Sequence, residues 1–256
     1  MIIEFIGSTG AGKTTLIKQI LYTSQREGIN AVAGNDFVLK QSRLNGIKSY
    51  LVRTILINLI SMFACLATWR NNLEFYLFAI RIILKLPGTV TWFEKLYLAK
   101  NILKKIGIYE IIRRHGSKQQ VYLVDEGTLH VAHNLFVQVS VEANINELSS
   151  FAKLVPLPHV VVYVRQDESV LIERTLARGH KRVPDYSLAD AAQFVKQAVN
   201  VFDELVQHPA IERILIVVDS AQNMVMAPGY GNDPLPLSVS KPVQAGIQVS
   251  AEDNPV

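Results

Sequence analysis

The stretch Gly7-Ser8-Thr9-Gly10-Ala11-Gly12-Lys13-Thr14 leaves fewer folds open than any other feature of this chain. The apolar run Ile2 to Ile6 leads into it, and Leu16, Ile17, Ile20 and Leu21 follow it at helical spacing. The spacing GxxxxGK[ST] therefore predicts a loop between a buried strand and a helix. Gly7, Gly10 and Gly12 let the backbone wrap a phosphate without Cβ clashes. The loop's N–H groups, from Gly7 through Ser8, Thr9 and Ala11 to Thr15, and the helix N-terminus supply positive potential there. Lys13 is expected to reach the β- and γ-phosphates, and the Thr14 hydroxyl to ligate Mg²⁺.

The rest of the chain alternates strand and helix signals. Gly28 stops the first helix, and Ala31 to Ala33 reads as a second strand. Residues 48–115 read as apolar helices with breaks near Asn71-Asn72, at Pro87-Gly88 and at Gly107. Val121 to Val124 is a third strand, ending in Asp125. Residues 128–153 mix helix and loop, and Val160 to Val164 is a fourth strand behind Pro156 and Pro158. Asp167 is placed to cap a helix running to Gly179. Ser187, with Asp190 three residues on, caps another running to His208. Ile214 to Val218 is the last strand. Such alternation predicts an α/β fold with a parallel sheet covered on both faces. Residues 1–226 form one domain in this reading. A helical insert occupies about 40–118, and the Pro-, Gly-, Ser- and Asn-rich tail 227–256 is expected to be disordered.

The insert has its own electrostatics. Residues 40–118 hold 14 Lys/Arg against three acids, Glu74, Glu94 and Glu110, although the whole chain carries only +4. A basic, apolar insert suits an acidic partner (a phosphorylated substrate, anionic lipid or nucleic acid) or is a solvated basic face. The charged fraction is 19% and mean hydropathy is +0.21. Thr54 to Trp69 is the longest uncharged stretch there, 16 residues against the ~20 that span a bilayer, so no span is expected. The opening residues show no signal-peptide pattern. The single Cys65 lies in an apolar run, which predicts a buried thiol and fits a reducing, cytoplasmic setting.

Asp125 and Glu126 end the third strand, where they would face the phosphate loop. Asp125 would hold Mg²⁺ or act as base on an acceptor hydroxyl, and Glu126 would orient a water. Arg174 and Arg178 share one helix face, and Arg182 follows Gly179. Together they suit charge that spreads over phosphoryl oxygens. The histidines show no metal-ligand spacing. His130 and His133 are expected to be structural, with an acceptor-site role as the alternative. Trp69, Phe75, Tyr76, Phe78, Trp92, Phe93 and Tyr97 are expected to pack between insert helices.

The lead Ile3-Glu4-Phe5-Ile6-Gly7 with GAGKTT resembles the opening of the P-loop kinases of small molecules, nearest to thymidylate kinase and its nucleoside and nucleotide kinase relatives. So do Tyr163 through Arg174, Arg178-Gly179 and Arg182, and the stretch Ile216-Val217-Val218-Asp219-Ser220-Ala221. The resemblance covers roughly 1–35 and 120–225 and skips the insert. It implies a doubly wound, five-stranded parallel sheet in the order 2-3-1-4-5. ATP would lie at the phosphate loop, Arg174 and Ser220-Ala221 against adenine, Arg178 on phosphate and Asp125 at the carboxylate position of the third strand. Glu126-Gly127 stand where thymidylate kinases carry Arg and an aromatic residue, and Gly34-Asn35-Asp36-Phe37 replaces their Arg-Glu-Pro. The resemblance therefore implies the donor half of the site and leaves the acceptor open.

The resulting expectation is ATP- and Mg²⁺-dependent phosphoryl transfer to a nucleotide-like, sugar-like or lipid-linked acceptor, with no specific nucleic acid. The alternative is an ATPase or nucleotide switch in which Glu126 activates water and the insert acts on a partner or membrane. An LSGGQ-type signature and NKxD are absent from the sequence. The insert helices are expected to form an acceptor lid and a dimer contact, with peripheral membrane binding as the competing reading.

Overall fold

The strands are β1 (Ile2–Ile6), β2 (Ala31–Ala33), β3 (Val121–Asp125), β4 (Val160–Arg165) and β5 (Leu215–Asp219). In the computed structural model, which describes residues 1–44, 46–137, 143–179, 183 and 187–219, they form one all-parallel sheet in the order β2-β3-β1-β4-β5. This is the expected order. Central β1 sets Ile3 level with Leu123 on one side and Val160 on the other. Parallel neighbours need crossover connections, and these are helical. Arg182, Ser220, Ala221 and the tail 227–256 lie outside the described residues.

Helix α1 (Lys13–Arg26) follows β1 and ends before Gly28, whose φ of 70° is left-handed. The Gly34-Asn35-Asp36-Phe37 stretch opens an unanticipated helix, α2 (Gly34–Gln41), which buries Phe37, Val38 and Leu39. The insert supplies α3 (Tyr50–Ala67), a 3₁₀ turn (Trp69–Asn72), α4 (Leu73–Lys85) and α5 (Trp92–His115). Beyond β3 come α6 (Val131–Phe136), α7 (Ile145–Leu154), α8 (Glu168–Arg178), α9 (Leu188–Val206) and α10 (Pro209–Glu212). Alternate residues of β3 feed two cores. Tyr122 and Val124 face α2, α3 and α5, and Leu123 faces the cluster that includes α6, α7 and α9.

The caps explain the helix limits. Ser187 Oγ accepts the Asp190 N–H at 3.3 Å, as the sequence suggests. Asp167 occupies the N-cap of α8 but its side chain makes no capping bond. Helix α9 stops at Val206, short of the expected His208, because His208 Nδ1 instead accepts the Ala210 N–H and starts α10.

Two of the expected insert breaks are present, at the 3₁₀ turn and between α4 and α5, where Thr91 and Glu94 form a capping box. The third is corrected: α5 runs unbroken through Gly107. Gly107 serves a close helix–helix approach instead. A Cβ there would overlap the Ser61 carbonyl of α3, and Ser61 is fully buried.

The expectation for the insert aromatics is only partly met. Phe75 is buried and packs edge-on to Phe151, and Tyr76 and Phe78 are partly covered. Trp69, Trp92, Phe93 and Tyr97 are exposed, Phe93 at 83%. They continue ridges of exposed apolar side chains. On α3, Leu51, Ile55, Leu59, Phe63 and Leu66 recur at steps of three and four, opposite the buried Ile57, Ser61 and Cys65. On α4, Leu73, Leu77, Ile80 and Leu84 do the same, opposite Phe75, Ala79 and Ile82. Of 23 large apolar side chains exposed among the described residues, 16 lie between Tyr50 and Tyr97. Helix α3 is also long and apolar enough to cross a membrane, counting through Arg53.

Gly107→Ala should destabilise the protein by about 1–3 kcal/mol, because the new methyl forces α3 and α5 apart at Ser61. Denaturant titration of the variant against the parent checks this, and Ser61→Gly should not relieve it, since the clash is with backbone.

Candidate functional site

The loop Gly7–Gly12 leaves β1 at the carboxyl edge of the sheet and delivers the chain into α1. Gly7 has φ 139°, and a Cβ there would stand 2.5 Å from the Val164 carbonyl oxygen of β4, so only glycine lets the chain turn so close to its neighbour. Gly12 is the N-cap of α1 in the left-handed conformation. The helix has no side-chain cap and no acid in its first turn. Its first N–H groups and dipole are thus left to an anion.

Lys13 is 6% exposed, and its Nζ donates to the Gly7 and Ser8 carbonyls at 2.9 and 3.0 Å. Burial pushes this ammonium below its ordinary pKa, and the charge of Arg178 adds to that; Glu126 and Asp125 oppose it. Thr14 Oγ1 donates to Asp125 Oδ2 at 2.6 Å. Asp125 Oδ1 is buried with no hydrogen-bond partner among the described residues, as is Ser8 Oγ. Burial raises the Asp125 carboxyl above the usual range, against the Thr14 hydrogen bond.

Glu126 stands at a positive φ of 56°, strained for a residue with a Cβ, and is half exposed. Its carboxylate lies 3.6 Å from Lys105 Nζ, 4.0 Å from Lys13 Nζ and 3.5 Å from His130 Nε2. Burial alone would lift its pKa, but Lys105 and Lys13 hold it below the ordinary carboxylate value. The Lys105 ammonium is itself pulled down by burial.

The arginine helix meets the same loop. Arg174 Nη1 donates to the Gly10 carbonyl at 2.7 Å, while Arg178, one turn on, is exposed. Arg174 is thus seen on the loop itself. The structure therefore brings together Lys13, Thr14, Asp125, Glu126, Arg174 and the glycine loop. Arg182, Ser220 and Ala221 are outside the described residues. A groove of about 550 Å³ between α7 and α9 shares no lining residue with this site.

Three participants were not singled out from sequence as members of this cluster: Glu4, Lys105 and the His130 backbone. Glu4 carried a signal, a lone charge inside the apolar run Ile2–Ile6. Lys105 carried none, being one cation among many in a basic helix. Glu4 is 2% exposed, on the β1 face that it shares with Ile2, and its Oε1 accepts the His130 N–H at 3.0 Å. Gly127 leaves it room, since a Cβ there would come within 2.7 Å of Glu4 Cδ. Thr128 Oγ1 lies 2.6 Å from the Pro156 carbonyl and 3.1 Å from Glu4 Oε2. A hydroxyl has one proton to give. With that proton on Pro156 O, Thr128 accepts from a protonated Glu4. Burial agrees, pushing the Glu4 carboxyl up to about 7. His130 and His133 are buried and their rings stack at 5.0 Å.

No family model matches the chain, and no curated protein matches it. Among the described residues no group of three or more His, Cys, Asp or Glu is arranged to hold a metal by itself.

Glu4 gives a pH signature with a definite sign. A folded-state pKa near 7, raised from 4.5, favours the protonated carboxyl in the folded protein. Its contribution is complete below about pH 4.5 and is lost as pH rises through 7, by up to about 3 kcal/mol. Glu4→Gln preserves both hydrogen bonds, its amide N–H replacing the acid proton. The variant should therefore match the parent at pH 5 and exceed it in unfolding free energy at pH 8. Equal pH slopes for the two proteins would rule out titration of Glu4.

Proposed function

We propose that the chain is a P-loop phosphotransferase that moves the γ-phosphoryl group of ATP, with Mg²⁺, to a small-molecule acceptor. The observation that carries this reading is the convergence of Lys13, Thr14 and Asp125 on the glycine loop, with the second Asp125 oxygen buried and unpartnered. A buried carboxylate oxygen without a donor is costly unless a cation completes it. Thr14 and Asp125 are thus the residues to hold Mg²⁺, which, when bound, offsets charge on the phosphate oxygens.

The remaining roles follow from position and charge. Lys13 neutralises the charge that develops on the transferred group, and its desolvated setting makes that interaction strong. Arg174 stiffens the loop through Gly10 and brings a cation to it. Arg178 is the exposed cation at the end of the same helix. Glu126 faces the acceptor side. Held ionised by Lys105 and Lys13, it is a weak base, so it orients an incoming hydroxyl rather than taking its proton early. Phosphoryl transfer with a loose transition state needs little more than this.

The second reading, hydrolysis or a nucleotide switch, draws on the same Glu126 at its strained φ beside Lys13. Turnover separates the two. ADP release should depend on added acceptor when nucleotide, sugar and lipid-linked panels are tried. Lys13→Ala should abolish turnover with the fold retained. Asp125→Asn and Arg178→Ala should each cost roughly 10²-fold in kcat, and Glu126→Gln less. Acceptor-independent ADP release, with Glu126→Gln trapping bound ATP and Asp125→Asn mild, would assign the site to hydrolysis.

A further inference from the structure

The insert leaves three apolar ridges uncovered. On α3, Leu51 and Phe63 are 72% and 70% exposed, and α4 and the first turns of α5 carry exposed apolar side chains of their own. Water-facing apolar surface on this scale marks a docking face. Its occupant is indicated by charge. Of the insert's three acids, Glu110 is buried against Arg113 and Asn72, while Glu74 and Glu94 are exposed, Glu94 in the α5 capping box. Against these two, residues 50–100 carry Arg53, Arg70, Arg81, Lys85, Lys95 and Lys100, of which Arg53 pairs with Asp36 and Lys85 with Glu147. Arg70 and Arg81, beside the ridges, have no carboxylate partner among the described residues. The face is thus apolar with a cationic margin.

A second copy of the chain fits this poorly. A two-fold interface pairs the patch with itself and brings two cationic margins together. Spanning fits poorly as well, because the other side of α3 is committed to α5, Ser61 lying backbone-close to Gly107. An anionic bilayer satisfies both halves of the surface. Both tryptophans of the chain sit here, Trp69 just beyond α3 and Trp92 at the start of α5, each exposed. Such amphipathic rings settle at the headgroup level. Lys100 Nζ lies 4.4 Å from the centre of the exposed Tyr97 ring, a further cation beside an interfacial aromatic.

We propose that α3, α4 and the first turns of α5 form a docking surface for an anionic membrane, lying in the interface plane without crossing it. The surface is amphipathic in the sense that governs interfacial helices: apolar ridges sink toward the acyl boundary and flanking Lys and Arg meet the anionic headgroups. This surface is independent of the nucleotide chemistry, and it stands whether or not the phosphotransfer reading does. The same helix, α5, carries the surface at its start and Lys105 beside Glu126 a little past its midpoint, so on the proposed function a docked protein presents the acceptor side of the site toward the bilayer.

The test uses the full chain and its own tryptophans, which both lie in the surface. With vesicles of phosphatidylcholine and phosphatidylglycerol at low salt, the protein should float with the vesicles and its tryptophan emission should shift to the blue. Pure phosphatidylcholine should bind at least about tenfold more weakly, and salt should weaken anionic binding. Phe63→Ser with Phe93→Ser, and separately Arg70→Glu with Arg81→Glu, should each cut binding by about tenfold or more. These side chains are exposed, so unfolding temperatures should stay at the parent value. No binding at low salt overturns the proposal, as does binding without an emission shift, which places the contact elsewhere. A dimer broken by the Phe63/Phe93 pair, with no vesicle binding, assigns the face to a second copy. Resistance to alkaline carbonate extraction assigns α3 to a bilayer span.

Discussion

The buried ammonium of Lys13 is the constraint around which the carboxyl edge of the sheet is arranged. A cation at 6% exposure needs compensation. Two loop carbonyls supply part of it, which requires the chain to curl tightly after β1. That curl in turn requires Gly7 against Val164. The acids Asp125 and Glu126 supply the rest from the neighbouring strand, and the parallel register that sets Phe5 level with Asp125 brings them there. Loop, strand order and acid pair are three solutions to one electrostatic problem.

A second layer of charge lies beneath the first. Glu4 lies against Gly127 and the His130 N–H, and Lys105 reaches from the insert to influence both Glu4 and Glu126. The insert is therefore joined to the site through a buried cation, while its opposite side faces solvent with apolar ridges. Helix α5 serves both ends. Its central turns are clamped to α3 at Gly107, its Lys105 enters the charge cluster, and its first turns are exposed. Helix α5 thus joins the outer surface of the insert to the charge cluster around Glu126.

With its carboxyl pushed up to about 7 by burial, Glu4 takes on its full negative charge only above neutral pH. Glu4, Asp125 and Glu126 are set around Lys13 and Lys105, and of the three Glu4 is the most deeply buried, at 2% exposure. Holding one as the neutral acid lets it donate to Thr128 and so fix the turn that carries His130. Asp125 is also raised by burial, with the Thr14 hydrogen bond opposing.

Much of this was legible in the chain itself, wherever the signal is local. The spacing of Gly7 to Thr14, the apolar run before it and the helical period after it specify strand, loop and helix because each depends on neighbours within a few residues. The strand ends at Asp125 and the cap at Ser187 were readable for the same reason, and the order of strands followed from a resemblance carried by those motifs. Gly107 shows where local reading stops. A glycine in a helix reads as a break, yet here the missing Cβ is spent on a contact with Ser61, a residue 46 positions earlier. Lys105 and Glu4 joined the cluster, and Phe93 and Trp92 were left in water, because packing decides which face of a helix that is apolar on both sides is covered. Periodicity states that a face exists. Only the tertiary structure, by using one side of α3 and α4 to cover the core, determined which side remained in water.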